Sequence, residues 1–221
     1  MLINKSFFYF VLILIIGSIC TFISCNKEPV FTNESDTIKI ATIFHPDTFT
    51  GKNAIIESIV PNKNFGNYPI ISAFSWTDTG YFNTARSLID FNLSEIIPYT
   101  AIKSARLSLY FNGFANLNGQ TGENGFTLYR ISKSWKVNTV TWNNQPSYSN
   151  LDSVPVLKST ATNQSYLNID VSNLVRDIIN NPSTSFGLML KLNTESPYAL
   201  VVLGSCYNNN SSVHPKLIVY Y

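Results

Sequence analysis

Histidines and carboxylates are the residues of this sequence that could carry out general acid–base chemistry. The chain of 221 residues has only two histidines, His45 and His214, which are far apart and each precede a proline. A Ser-His-Asp or Cys-His site needs a histidine within hydrogen-bond reach of a nucleophile, and no spacing here indicates one. The sequence therefore predicts no catalytic nucleophile.

The acidic residues show no arrangement typical of hydrolysis or metal binding. Glycoside hydrolysis needs two carboxylates that face one cleft. The candidates are scattered along the chain as Glu57, Asp78, Asp90, Glu95, Glu123, Asp152, Asp170, Asp177 and Glu195. Because H-E-x-x-H, paired C-x-x-C, P-loop and G-x-G-x-x-G patterns are also missing from the sequence, we predict no metal site and no cofactor. One enzymatic alternative stays open, since a polysaccharide lyase can combine a tyrosine with an arginine and the chain has 12 tyrosines.

Cys25 is the residue whose neighbours predict a covalent modification. Lys5 supplies a positive charge before an apolar run over residues 7–16, and the segment ends in Phe22-Ile23-Ser24-Cys25. This order is typical of a bacterial lipoprotein signal, in which the chain is cut before a cysteine that becomes lipidated. We therefore expect residues 1–24 to be a signal peptide and Cys25 to anchor the protein to a membrane.

The alternative for this segment is an uncleaved membrane helix over residues 7–25. Both interpretations place the rest of the chain outside the cytoplasm. We expect a lipoprotein of the outer membrane of a Gram-negative bacterium, facing either the periplasm or the outside.

Charge and cysteine count bound the remaining chain. Removal of residues 1–24 takes away Lys5 and no acidic residue, which leaves 14 Lys and Arg against 13 Asp and Glu. This even balance argues against a nucleic-acid partner. Because Cys20 leaves with the signal and Cys25 is lipidated, Cys206 has no partner for a disulfide, and stability must come from the core.

The pattern of apolar residues predicts one all-β domain. Residues 25–37, the lipidated cysteine and a polar stretch, are expected to form a flexible tether, and residues 38–221 a single domain. Short runs in which apolar and polar residues alternate predict strands at 38–43, 55–60, 85–93, 102–111, 126–131, 186–192, 198–203 and 216–221. Eight or more strands favour an antiparallel β-sandwich.

One segment follows a helical period instead. Val171, Leu174, Val175 and Ile178 share one face of a helix, so we predict a single short helix. Asp170 or Ser172 is its expected N-cap, and the segment before Pro182 is its expected end.

Several segments in order resemble the DNRLRE-domain family. They are Asn64-Phe65-Gly66-Asn67-Tyr68, the stretch 85–94 followed by Ile97-Pro98, the stretch 101–110, Trp135 with 140–146, the stretch 170–175, Phe186-Gly187-Leu188 and His214-Pro215-Lys216-Leu217. This family is similar to the disaggregatase-related proteins and to a carbohydrate-binding module family associated with acidic polysaccharides such as alginate. The resemblance implies a jelly-roll-like β-sandwich, found as an accessory module of extracellular proteins and also as a stand-alone lipoprotein.

Most of these motifs are explained by architecture. We expect Trp135 and Trp142 to form a folded corner beneath the helix, because a buried aromatic ring needs no ligand. Gly66 and Gly187 are expected at backbone positions that tolerate no Cβ atom.

Carbohydrate binding requires aromatic rings, fixed hydrogen-bond donors and, for acidic polymers, Arg or Lys. Arg86, Arg106 and Tyr110 have outward parity on strands that we expect to be neighbours, and Lys191 has outward parity in the strand 186–192. We predict that these four residues form a cationic groove for uronate carboxylates. A second candidate platform is the turn-rich segment that holds Trp76, Tyr81 and Phe82.

The sequence therefore favours a lipoprotein that binds polysaccharide without cleaving it, with uronate-containing polymers as one candidate ligand. The main alternative is a structural or adhesive module whose partner is a surface protein, because the same sandwich would serve that role. The lyase described above is the lesser alternative.

Overall fold

The structure is a computed structural model, and it describes residues 40–44, 52–115, 117 and 119–221. The strands are β1 (Ile40–Phe44), β2 (Lys52–Glu57), β3 (Phe65–Gly66), β4 (Ile70–Asp78), β5 (Tyr81–Asp90), β6 (Ser104–Leu109), β7 (Phe126–Ile131), β8 (Tyr148–Val156), β9 (Tyr166–Asp170), β10 (Leu188–Leu192), β11 (Ala199–Gly204) and β12 (Lys216–Tyr220). A helix, α1 (Ser172–Asn180), lies between β9 and β10, and 3₁₀ turns cover Pro182–Thr184 and Ser211–Val213.

The predicted signal peptide, Cys25 and the tether lie outside the described residues. Residues Ile38–Tyr221 form one compact unit. None of the described helices is long and apolar enough to cross a lipid bilayer.

The strands form two antiparallel sheets, which confirms the prediction of an all-β sandwich. The smaller sheet has four strands in the order β1-β12-β6-β9. The larger sheet has the order β11-β4-β5-β10-β7-β8, and β2 pairs with β5 and β3 beside this path. Strands that follow each other in sequence therefore lie in different sheets in several places, above all β5 and β6.

β5 is the centre of the larger sheet because three strands pair with it. At Ala85 it pairs with β2 on one edge and β4 on the other, and at Ser87 it pairs with β2 and β10. Since a strand has two edges, β4 and β10 share the edge opposite β2. The Ser87 hydroxyl accepts from the N–H of Ser72 and donates to its carbonyl oxygen, at 2.8 and 2.7 Å, where β4 turns away from β5.

The main hydrophobic core lies between the two sheets. Ile89 of β5 and Ala105, Leu107 and Leu109 of β6 belong to this core, and all four side chains are fully buried. Helix α1 closes one end of this core with Leu174, Val175 and Ile179. In β6, the buried side chains of Ala105 and Leu107 on either side of Arg106 show which face of the strand points inward.

The outer face of the larger sheet is covered rather than solvated. Leu88, which has the same parity as Arg86, is fully buried in a second cluster that includes Trp135 and Val140. The corner formed by Trp135 and Trp142 therefore packs on the outer face of the sheet, not beneath the helix. The indole N–H of Trp135 donates to the carbonyl oxygen of Phe186 at 2.9 Å and satisfies the ring's polar atom.

The Asn64-Phe65-Gly66 motif holds this corner in place. The Asn64 side-chain amide donates to the carbonyl oxygens of Val137 and Val140 at 2.9 and 2.6 Å. A Cβ atom on Gly66 would lie 2.2 Å from the Val137 carbonyl oxygen, and one on Gly187 would lie 2.3 Å from a β5 carbonyl oxygen. Both glycines therefore occupy positions that exclude a side chain, as predicted.

The N-cap of helix α1 is Val171, and its side chain makes no capping hydrogen bond. The predicted choice between Asp170 and Ser172 is therefore wrong for the N-cap position itself. Asp170 still contributes, because its Oδ1 accepts from the N–H of Ser172 at 3.0 Å. The helix ends before Pro182, as expected, and the ion pair between Arg130 and Asp177 at 2.5 Å ties it to β7.

Candidate functional site

The predicted cationic groove of four residues does not form. Arg86 lies in β5 of the larger sheet and Arg106 lies in β6 of the smaller sheet, so the expectation that their strands are neighbours is wrong. Both side chains have outward parity, and the outer faces of a two-sheet sandwich point in opposite directions. Residues 91–103 carry the chain from one sheet to the other, which alternation within each strand could not show.

Arg86 is instead part of a closed network on the larger sheet. Its Nε and Nη2 donate to the two carboxylate oxygens of Glu195 at 2.7 and 2.9 Å, and its Nη1 donates to Gln145 at 2.8 Å. The guanidinium also lies 4.7 Å from the centre of the Trp142 ring. Lys191 also contacts Glu195, with its Nζ 3.9 Å from the carboxylate, so both cations share the same acidic partner. In a bidentate pair of this kind, the carboxylate already balances the charge of the guanidinium and accepts its hydrogen bonds.

Arg106 lines a polar groove formed by β6 and β9 of the smaller sheet together with β8 and helix α1, which we call the Arg106 groove. It consists of two adjoining pockets of about 480 and 450 Å³ that share Lys103, Ser104 and Arg106. The first pocket also includes Asp152, Ser153, Val154, Asp170, Ser172, Asn173 and Arg176, and the second includes Asn168 and Tyr220. Tyr110 comes directly after β6, four residues beyond Arg106, and it lines neither of the two pockets.

Arg106 has one carboxylate partner in this groove. Its Nη1 lies 2.7 Å from Asp170 Oδ2, in a pair that is well exposed on both sides. Hydrogen bonds from Ser172 and, to a smaller extent, the charge of Arg106 hold the pKa of Asp170 below its ordinary value. An exposed pair contributes little to stability, so Arg106 can change partners at small cost.

The other candidate surface is a pocket at the end of the β4–β5 hairpin, which we call the Trp76 pocket. It has a volume of about 510 Å³ and is lined by Phe74, Trp76, Thr77, Asp78, Asn83, Leu117 and Leu200. Thr79 and Gly80 both have positive φ, which is the geometry of a two-residue hairpin loop. This tight turn projects Tyr81 and Phe82 beside the pocket, and both are exposed.

Trp76 and Tyr198 stand together at this pocket. Their ring centres are 5.2 Å apart with the planes at 90°, and the Tyr198 hydroxyl lies 3.3 Å from Thr77 Oγ1. Trp76 is 40% exposed and Tyr198 57% exposed, which is unusual for large aromatic side chains. The pair therefore holds two partly exposed rings in a fixed orientation relative to each other.

Sequence reasoning missed Tyr198 as a site residue. The residue just before β11 reaches Trp76 because β11 pairs with β4, with Ala199 opposite Ser75. The two aromatic residues are more than a hundred positions apart in sequence, and β4 itself was not predicted as a strand. No local signal could have joined them.

Carboxylates give the Trp76 pocket a negative rim. Asp78 lines the pocket, and its charge interacts electrostatically with the carboxyl group of Glu57. Burial raises the pKa of Glu57 above its ordinary value of 4.5, the hydrogen bond from Asn83 and the charge of Lys63 oppose this shift, and the charge of Asp78 adds to it. The pocket thus combines aromatic faces with acceptors suited to sugar hydroxyls.

A comparison with known protein families found a match over most of the chain. The model of carbohydrate-binding module family 96 matches residues 47–220. The chain belongs to this family. No curated protein matches the chain.

The family 96 match covers eleven of the twelve strands, helix α1 and both candidate surfaces, so a carbohydrate is the partner of this domain. Within the described residues, no three His, Cys, Asp or Glu side chains converge in a way that could hold a metal ion. Membership in a binding-module family indicates binding rather than cleavage.

Proposed function

We propose that this family 96 protein is a lipid-anchored, extracytoplasmic lipoprotein that captures polysaccharide without cleaving it, and that the Trp76 pocket is its sugar-stacking site. The observation that supports this most directly is the exposed, edge-to-face pair of Trp76 and Tyr198 at the pocket. Sugar rings present C–H faces to aromatic rings, and a preoriented pair binds them without ordering its side chains first.

The polar residues of the pocket suit a neutral sugar. Asp78 and Thr77 offer an acceptor and a hydroxyl beside the rings, and hydroxyl groups of a sugar can bond to both. A uronate would bring its carboxylate toward Asp78 and Glu57, and like charges at close range disfavour binding. The proposed ligand of the Trp76 pocket is therefore an uncharged stretch of polysaccharide.

The Arg106 groove supports binding of acidic polymers as a second candidate. It contains the cations Lys103, Arg106 and Arg176 and extends for two adjoining pockets along the sheet. Arginine can pair with a carboxylate in a bidentate fashion, and Arg106 already contacts the carboxylate of the exposed Asp170 through Nη1. The groove replaces the predicted surface around Arg86 as the candidate site for uronates.

A crossed binding experiment tests both assignments. We expect Trp76→Ala to weaken binding of a neutral polysaccharide on the order of tenfold, because loss of one aromatic anchor costs about 1–2 kcal/mol. The same variant should leave uronate binding unchanged, whereas Arg106→Ala should weaken only uronate binding, and added salt should weaken the latter further.

The control is Tyr99→Ala, which removes another exposed aromatic ring that does not line the pocket. Affinities are measured by isothermal titration against neutral and uronate-containing polymers, with product release followed in the same samples. Unchanged affinity of folded Trp76→Ala for every polysaccharide bound by the wild type would refute the pocket assignment. New reducing or unsaturated ends would show an enzyme, and binding of no polysaccharide would favour a protein partner.

The anchor is tested separately. Cys25→Ser should move the protein from the membrane fraction to the soluble fraction, because the acyl chains are then absent. Retention of Cys25→Ser in the membrane would favour an uncleaved membrane helix.

A further inference from the structure

The turn formed by residues 97–100 exposes two large apolar side chains. Ile97 is 75% exposed and Tyr99 is 84% exposed, and Pro98 between them is also exposed. The N–H of Thr100 donates to the carbonyl oxygen of Ile97 at 3.1 Å, which closes the turn. We call this segment the 97–100 turn.

The conformation of this turn is held firmly although it is unfavourable. Tyr99 has φ of 66°, a left-handed conformation that residues with a side chain rarely adopt. Its N–H donates to Asn180 Oδ1 at 2.9 Å, and the Thr100 hydroxyl donates to the Ile97 carbonyl oxygen at 2.6 Å. Ile96, just before the turn, is buried in the main core. The fold therefore maintains backbone strain at a place where it presents apolar side chains to solvent, and such strain is typical of functional segments.

The turn lies at the end of the sandwich where the chain enters the domain. β12 pairs Tyr220 with Ile40, the first residue of β1, and with Ser104, the first residue of β6. The 97–100 turn comes just before β6. Cys25 precedes Ile40 by 15 residues, which span at most about 50 Å when fully extended. An anchored Cys25 therefore keeps this end of the domain within reach of the membrane.

Cations lie beside the turn at this same end. The Arg176 guanidinium donates to the carbonyl oxygens of Ile102 and Lys103 at 2.9 and 3.0 Å and to Asn173 Oδ1 at 2.6 Å. These three acceptors are neutral, so they leave the positive charge of Arg176 in place. Apolar side chains flanked by Lys and Arg complement the boundary between the acyl chains and the anionic headgroups of a bilayer.

The Trp76 pocket lies at the opposite end of β5. Tyr81 begins this strand beside the pocket, and Asp90 ends it, seven residues before Ile97. Nine steps along a strand cover about 30 Å. A domain that rests on the 97–100 turn would therefore direct the Trp76 pocket away from the membrane.

We infer that the 97–100 turn inserts Ile97 and Tyr99 into the interface of an anionic phospholipid bilayer and so orients the domain, with its sugar pocket facing outward. This inference rests on the proposed lipid anchor at Cys25. The anchor supplies attachment, and the turn supplies orientation.

The test uses the full-length, lipidated protein in vesicles of phosphatidylethanolamine and phosphatidylglycerol with brominated acyl chains, which quench tryptophan that reaches them. A tryptophan is introduced by Tyr99→Trp in one variant and by Leu157→Trp in a second. Leu157 is a matched control because it is 87% exposed, close to the value for Tyr99. It follows Val156, which pairs with Phe126, the first residue of β7, whereas helix α1 contacts β7 at Arg130. Both variants keep the three native tryptophans, so the emission of the wild-type protein in the same vesicles is subtracted from that of each variant.

We expect loss of the emission added by Tyr99→Trp and no loss of that added by Leu157→Trp. The loss should be smaller when phosphatidylglycerol is replaced by phosphatidylcholine, because the attraction of Arg176 and Lys103 is then removed. Equal emission changes in the two variants, with the protein floating with the vesicles, would overturn the inference and leave the anchor intact. A protein that fails to float with vesicles would overturn the anchor itself, and with it the orientation that depends on it.

Discussion

Replacement of Arg86 by alanine should destabilise the domain and leave polysaccharide binding intact. The guanidinium and the Glu195 carboxylate keep only 15% and 21% of their side-chain surface exposed. Removal of one partner from a fully buried pair costs roughly 3–5 kcal/mol. Because this pair is partly solvated and Lys191 remains near Glu195, we expect Arg86→Ala to lower the free energy of unfolding by about 2 kcal/mol, which corresponds to about 4–8 °C in Tm for a domain of this size.

The assay is urea unfolding of wild type, Arg86→Ala, Glu195→Ala and the double variant, so that the coupling between the two residues is isolated. Arg106→Ala is the control, because its pair with Asp170 is 37% and 58% exposed and such pairs contribute about 0–1 kcal/mol. An Arg86→Ala protein with the unfolding midpoint of the wild type and without affinity for uronates would refute this reasoning. It would return Arg86 to the glycan site that the sequence suggested.

Two further predictions concern the backbone and the pH dependence of stability. Gly66→Ala should cost about 2–3 kcal/mol in urea unfolding, because its Cβ atom would lie 2.2 Å from the Val137 carbonyl oxygen. Gly80→Ala, at φ of +85° with open space around it, should cost only about 1 kcal/mol, and equal losses would contradict the role of the Gly66 contact. Burial raises the pKa of Glu57 in the folded state above its ordinary value of 4.5. The folded protein therefore binds this proton more tightly than the unfolded chain, and the free energy of unfolding falls as the pH rises from 4.5 through the folded pKa. Glu57→Gln should therefore be more stable than wild type at pH 7, with the gain absent below pH 4.5, and a gain that persists in acid would exclude this explanation.

Alternation predicted the strands in which every second residue is buried. In β12, Leu217 and Val219 are buried and pack on the core, and the residues on either side of them are partly exposed. β4 and β11 are both buried on two faces, but β11 is a continuous apolar run, whereas Ser72 and Ser75 interrupt the run of β4. β4 was therefore missed, because it shows neither alternation nor a continuous apolar run. β8 was missed because it contains Pro155 and the left-handed Asp152, both of which are typical of turns.

The sequence by itself determined the all-β class, the outward parity of Arg86 and Arg106, the helix and the glycines that exclude a side chain. These features depend on residues that are close together in the sequence, so alternation, helical periodicity and short motifs are enough to predict them. Only the tertiary structure decided that Arg86 and Arg106 lie on opposite faces and that Tyr198 meets Trp76. Both facts depend on which strands become neighbours, and that choice follows from the total apolar surface buried when the two sheets pack, a quantity that no short segment of the chain contains.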